Sequence, residues 1–297
     1  MTALRIATRG SELALIQAEL AAARLRTAHP GLEVAIVTIT TAGDRDQTTP
    51  LPEGDKAGWF TSAIQDALLR DEADIAVHSY KDLPTKRPEG LAIAAVPLRE
   101  DPRDALVSRE RVGLRALPRG AVVGTSSPRR TAQLRELRPD LDVRPIRGNV
   151  GTRIAKVEAG DYDATVLALA GLRRLGLESR ADEVFGFEEM LPAPAQGALA
   201  LECRTADAAT RALLAAIDDA ALRQVVTAER MFLATIDGGC SFPAAAYAEH
   251  FGTTLKLNAL IAADGRIVRS KMAGPAETAG GLGRQLAQEL MGLAGLR

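Results

Sequence analysis

The feature that most constrains this chain is a repeated step: a short apolar run, a polar exit, then a stretch with helical spacing. LRIAT (4–8) leads into a helix expected over 12–28, where Leu13, Ile16, Leu20 and Ala23 recur on one face. VAIVTIT (34–40) predicts a second strand and residues 61–70 a second helix. DIAVHS (74–79) and LAIAAV (91–96) predict two more strands. After LREDPRD (98–104), a charged crossing, the step restarts with AVVGT (121–125), a helix from Arg129, LDVRPI (141–146), a helix from Thr152 and DATVLA (163–168). LPAPAQGAL (191–199) reads as a second crossing. Strands alternating with helices pack as α/β sheets, with ligands expected beyond the carboxyl ends of the strands.

The tail changes character. A helix near 222–235 precedes a hairpin over 254–272, whose Asp264-Gly265 suits a type I′ turn, and a last helix covers about 277–293. At 297 residues the chain is long for a single core. The expected division is an α/β domain from 1–97 with 196–215, a second α/β domain over 103–191, and a small α+β domain over 220–297.

Several strand exits carry the same chemistry. The first offers Arg9 and Ser11, the latter placed to cap a helix. In GTSSPRRTAQL (124–134), Ser127 reads as N-cap and Pro128 as the first helical residue, with Arg129 and Arg130 in the first turn. Cations there oppose the helix dipole, and an anion beside them resolves the conflict. Arg147 and Arg153 flank a glycine-rich turn, and Arg173-Arg174 follow the strand ending near Ala168. A single arginine is ordinarily solvated, whereas several at successive exits point to a ligand with several negative groups. No G-x-x-x-x-G-K-[ST] or G-x-G-x-x-G motif is present, so carboxylates suit the set as well as phosphates.

The strand DIAVHS delivers Lys81 and Asp82 side by side. They could form a surface ion pair; alternatively, Asp82 is an ionised carboxylate able to stabilise a cation or shuttle a proton. His29, His78 and His250 show no metal-ligand spacing, and His78 reads as a hydrogen-bonded strand residue. In IDGGCSFP (236–243), Gly238-Gly239 would end a helix and leave Cys240 on a compliant loop, where nearby positive charge favours the thiolate. Cys203 sits in an apolar run and reads as core.

Charge and composition exclude other classes. The net charge of −1 and a pI near 6.4 speak against a general nucleic-acid or anionic-membrane binder. Two cysteines imply no disulfide framework. The longest charge-free stretch, 190–201, falls short of the ~18 residues a membrane helix needs. MTALRIATRGSELAL has no signal-peptide core, so the expectation is a cytoplasmic protein, taken as a monomer.

Taken together, RIATRGSELAL, ADIAVHSYKDLP, EDPRDALVS, VGTSSPRR, IRGNVGTR, LALAGLRRLGL, QGALALECR and TAERMFLATIDGGC resemble the porphobilinogen deaminase family, in the family's order from Arg5 to Cys240. The resemblance implies two periplasmic-binding-protein-like α/β domains with a cleft between them, plus the small C-terminal domain. It implies stepwise head-to-tail condensation of four porphobilinogen molecules, with loss of ammonia, and release of the linear tetrapyrrole hydroxymethylbilane. The implied cofactor is a dipyrromethane held by a thioether to Cys240, with Asp82 as the catalytic aspartate. The cofactor-binding residues match Lys81, Thr125, Ser127, Arg129, Arg130, Arg147 and Gly171. The substrate-binding residues match Arg9, Ser11, Arg153, Arg174 and Gln196, with Lys56 from a loop. Each porphobilinogen carries an acetate and a propionate, which accounts for the arginines.

The sequence departs from the family's pattern in EGDKAGWFTSAI (53–64). Ala57 stands where a lysine is usual, Lys56 is one place earlier, and Ser62-Ala63 replace a Lys-Glu pair. A flexible loop can present Lys56 in place of the missing lysine. Ala195 replaces the usual glycine before Gln196. The competing expectations are a small-anion-binding protein of the same architecture and a catalytically altered homologue.

Overall fold

The computed structural model describes residues 3–40, 58–236 and 242–296, the side chains of 58–60 excepted. The chain divides into two compact units, Met1–Glu100 with Ala198–Gln224, and Asp101–Gly197 with Val225–Arg297.

In the first unit, β1 (Leu4–Thr8), β2 (Val34–Thr38), β3 (Ile75–Ser79), β4 (Leu91–Ala95) and β10 (Leu199–Arg204) form one sheet in the order β2-β1-β3-β10-β4. β1 runs parallel to β2 and to β3, while β10 enters antiparallel between β3 and β4. Helix α1 (Glu12–Ala28) buries Ala18, Ala21, Ala22 and Leu25 against Ile6, Ile75, Leu199 and Leu201. Its four-residue spacing places these side chains on one stripe. Helix α2 (Gly58–Leu69) covers the sheet with Ile64 and Leu68.

The second unit holds two sheets. β5 (Asp104–Ser108), β6 (Val122–Gly124), β7 (Asp142–Arg144), β8 (Ala164–Ala168) and the short β9 (Glu183–Val184) are ordered β7-β6-β8-β5-β9. β6, β7 and β8 are parallel, and β5 is antiparallel to β8. Helices α3 (Pro128–Leu137), α4 (Val150–Glu158) and α5 (Leu169–Arg174) connect them in the strand–helix alternation of the sequence. β11 (Ala244–Phe251), β12 (Thr254–Ala263) and β13 (Arg266–Pro275) form an antiparallel meander. The β12–β13 turn has Asp264 at φ 50° and Gly265 at φ 74°, the two left-handed residues a type I′ turn needs.

Helix α6 (Ala208–Ala215) precedes α7 (Ala220–Ile236), and α8 (Ala279–Leu293) closes the chain. Phe232 of α7 packs with Leu286 and Leu290 of α8 over Leu255 and Leu257 of the meander. A Cβ on Gly283 would collide with the α7 backbone at Ala228, so a glycine is what lets these helices approach.

The structure adds strands that local pattern did not announce. β10 lies between β3 and β4 in the first sheet, β5 sits inside the second, and β11 opens the meander. Cys203 lies in β10 at 0% exposure, within the core as its apolar run suggests.

Candidate functional site

In the first unit, adjacent parallel strands β1 and β3 bring their carboxyl ends together. β1 leads to Arg9 and Ser11, and Ser11 caps α1, its hydroxyl accepting from the Ala14 N–H at 3.4 Å. Thr8 in turn donates its hydroxyl to the Ala14 carbonyl at 3.1 Å, fixing how the strand enters the helix. β3 passes into a single 3-10 turn, Tyr80–Asp82, which carries Lys81 and Asp82. Its start is held by the Tyr80 N–H donating to the Ala198 carbonyl at 3.0 Å. Arg9, Ser11, Gln17, Thr61, His78 and Asp82 line one pocket there. Asp82 is exposed and has no hydrogen-bond or ion-pair partner among the described residues, so the Lys81–Asp82 ion pair does not form.

In the second unit, Thr125 and Ser127 follow β6. Ser127 caps α3, accepting from the Arg130 N–H at 3.4 Å, and its own N–H donates to the Thr125 hydroxyl at 3.2 Å. Arg129 and Arg130, in the first turn of α3, are directed inward. Arg129 Nη1 lies 2.6 Å from Asp104 Oδ2, and Arg130 Nη2 lies 2.7 Å from Asp104 Oδ1. Gln196 Nε2 donates to the same Oδ1 at 2.9 Å. The anion beside the arginine pair is therefore a carboxylate of the chain itself, at the start of β5. Main-chain carbonyls add to the network: Arg129 Nη1 also donates to Leu191 O and Arg130 Nη1 donates to Val166 O, each at 2.8 Å. Burial alone would raise the Asp104 carboxyl, but the charges of Arg129 and Arg130 and their hydrogen bonds outweigh it and hold it well below the usual carboxylate range.

The other arginines belong to the same unit. Arg153 Nε donates to Gly148 O at 2.8 Å, and Arg174 Nη2 donates to Gly197 O at 2.7 Å. Gly171 is buried in α5. Arg147, beyond β7, has its Nη1 buried without a partner among the described residues. A buried donor left unpaired is costly, so this atom calls for an acceptor such as a carboxylate. On that test the second unit fits a bound polycarboxylate group. Lys56, Ala57 and Cys240 lie outside the described residues.

Sequence reasoning missed the groups that hold these side chains. Asp104 is one, legible only as an acid heading an apolar strand. Gln133 is another: its amide accepts from the Leu191 N–H at 2.8 Å and donates to the Leu191 carbonyl at 3.1 Å. Glu229, at 0% exposure, accepts from the Ala195 N–H at 2.6 Å and the Ala248 N–H at 2.8 Å. Ala195 itself adopts φ 62°, a left-handed conformation that favours glycine. We therefore expect Ala195→Gly to stabilise the protein by about 0.5–1 kcal/mol, the relieved strain exceeding the added entropy of the unfolded chain. An upward shift of the urea midpoint checks this, and an unchanged or lower midpoint contradicts it.

Comparison with known proteins places this arrangement. The family profile of the porphobilinogen deaminase dipyromethane cofactor binding domain matches residues 4–212, and that of the porphobilinogen deaminase C-terminal domain matches residues 223–292. Among solved structures, the periplasmic VFT2 domain of Bordetella pertussis BvgS aligns with a TM-score of 0.45 at 15% identity, covering 72% of this chain and 86% of that one. A Salmonella typhimurium periplasmic binding protein of high arginine specificity aligns with a TM-score of 0.42 at 12% identity, covering 73% and 92%. With its α/β sheets and cofactor-binding domain, the chain is a transferase of tetrapyrrole biosynthesis that uses a dipyrromethane cofactor. It belongs to the porphobilinogen deaminase family.

Proposed function

We propose that the chain condenses four porphobilinogen molecules head to tail, releasing ammonia at each step, and frees hydroxymethylbilane by hydrolysis. The observation that carries this reading is Asp82, unpartnered among the described residues at a polar pocket of a chain that the family profiles match over residues 4–212 and 223–292. The dipyrromethane, attached through Cys240, supplies the pyrrole carbon on which the chain grows. Asp82 opposes the positive charge the substrate ring acquires when its amine leaves, and among the described residues no cation is paired with it. Arg9 and Ser11 hold substrate carboxylates, with Lys56 assisting from its loop. Arg147, Thr125 and Ser127 hold those of the cofactor, together with Lys81 and the α5 backbone at Gly171. Arg153 and Arg174 extend the set to the growing chain. Arg129, Arg130 and Gln196 contribute through the network on Asp104.

The division into three domains, at 1–97 with 196–215, 103–191 and 220–297, belongs to this proposal, as do a cytoplasmic location, a monomeric state and the absence of a nucleic-acid partner. Among the described residues no helix is long and apolar enough to cross a membrane. The anion-binding and altered-homologue readings are not favoured, because the family match extends over the cofactor-binding domain. The test is incubation of the purified protein with porphobilinogen. Ammonia and linear tetrapyrrole should appear together; reversible binding without ammonia would favour capture over catalysis.

A further inference from the structure

Beside the Asp82 pocket lies a polar cluster with no part in the chemistry so far. His78 is 5% exposed and Glu202 is 0% exposed, with Nε2 3.1 Å from Oε2. Gln65 Nε2 is 3.1 Å from both carboxylate oxygens. His78 pairs across from Ala200 on β10, which makes Glu202 its diagonal neighbour on the same face. The β10–β4 ladder slips between Leu201 and Glu202, an irregularity of the kind that re-aims a side chain. Packing does not require such a group: an apolar residue would fill the site at lower desolvation cost.

What the cluster does is fix an imidazole. A carboxylate at Nε2 keeps the proton on that nitrogen and leaves Nδ1 as an acceptor. Nδ1 has no partner among the described residues, and His78 lines the pocket with Arg9, Ser11 and Asp82. The substrate's groups divide over these side chains by chemistry. Its carboxylates suit the Arg9 guanidinium and the Ser11 hydroxyl, and its ring, cationic after deamination, suits Asp82. The remaining group is an ammonium donor. Gln17 and Ser79 also line the pocket but bond each other at 2.9 and 3.2 Å, and Thr8 and Thr61 have partners of their own, which leaves Nδ1 as an unengaged acceptor for it.

We propose that His78 Nδ1 accepts a hydrogen bond from the aminomethyl ammonium of the substrate, with Glu202 as the positioning residue that sets the tautomer. This rests on the deaminase reading. When the carbon–nitrogen bond breaks, its electron pair leaves with nitrogen. Ammonia departs from Nδ1, the positive charge stays on the ring beside Asp82, and no proton passes to His78.

The test compares the wild-type holoenzyme with His78→Gln, whose amide can still donate to Glu202 but which lacks Nδ1. Porphobilinogen is set against an analogue bearing methyl in place of aminomethyl. The KM for porphobilinogen should rise about 10- to 100-fold, while the inhibition constant of the methyl analogue stays within about twofold. A parallel rise in both, or no rise in either, overturns the proposal. A second measurement needs no variant enzyme in working order: 15N spectra of histidine-labelled wild type, with the His78 signals assigned by their loss in His78→Gln. At mildly alkaline pH, Nε2 should carry the proton and Nδ1 none; a proton on Nδ1 contradicts the assignment. A wild type that consumes no porphobilinogen would sink the functional reading instead, and the tautomer would still be decided.

Discussion

Asp82→Asn should lower kcat for porphobilinogen by about 100- to 1,000-fold while leaving the fold intact. The side chain is exposed and unpartnered among the described residues, so replacing its charge breaks no contact with them. Its 3-10 turn is held instead by the main-chain bond from Tyr80 to Ala198, which the substitution does not touch. An unchanged circular dichroism spectrum and melting temperature, beside lost turnover, is the expected pair of results. Undiminished turnover would remove Asp82 from the chemistry.

Asp104→Ala should have the opposite character: a large loss of stability from a residue remote from the Asp82 pocket in sequence and element. Two guanidinium groups, on Arg129 and Arg130, are each less than a tenth exposed and share this one carboxylate. Removing it leaves both charges buried without their counterion, a loss of about 3–5 kcal/mol read as a fall in the denaturant midpoint. The pH dependence has a definite sign. Because the folded-state carboxyl is held below its unfolded value, its contribution is fully present above the unfolded pKa of about 4 and is lost as pH falls further. Wild type should thus lose stability more steeply than Asp104→Ala on acidification below about pH 4. A variant within about 1 kcal/mol of wild type would mean that the buried triad is not a keystone of the second unit.

Elements whose formation is decided locally were legible in the sequence. α1 spans Glu12–Ala28 with its Ser11 cap as expected, but the face it buries is Ala18, Ala21, Ala22 and Leu25, whereas Leu20 and Ala23 of the expected face are exposed; Asp264-Gly265 makes the expected turn. Ser127 and Pro128 likewise start α3. What escaped depends on partners distant along the chain. β10 is recognisable as a strand only once β3 and β4 are beside it; in the sequence it reads as an apolar run, holding Cys203, that follows the crossing. β5 opens with an acid, which pattern reading assigns to a loop, whereas Arg129 and Arg130 neutralise it. The same limit hid Glu202, whose partner His78 is 124 positions away. The arginines could be seen to want an anion, but which of them already had one inside the chain depended on the fold.

A deaminase that carries its own primer is recognised by the intact mass of the denatured, purified protein, measured beside its Cys240→Ser variant. The wild type should carry an added mass equal to two linked pyrrole units, and the variant none. An unmodified wild type, still unmodified after incubation with porphobilinogen, would contradict the deaminase reading.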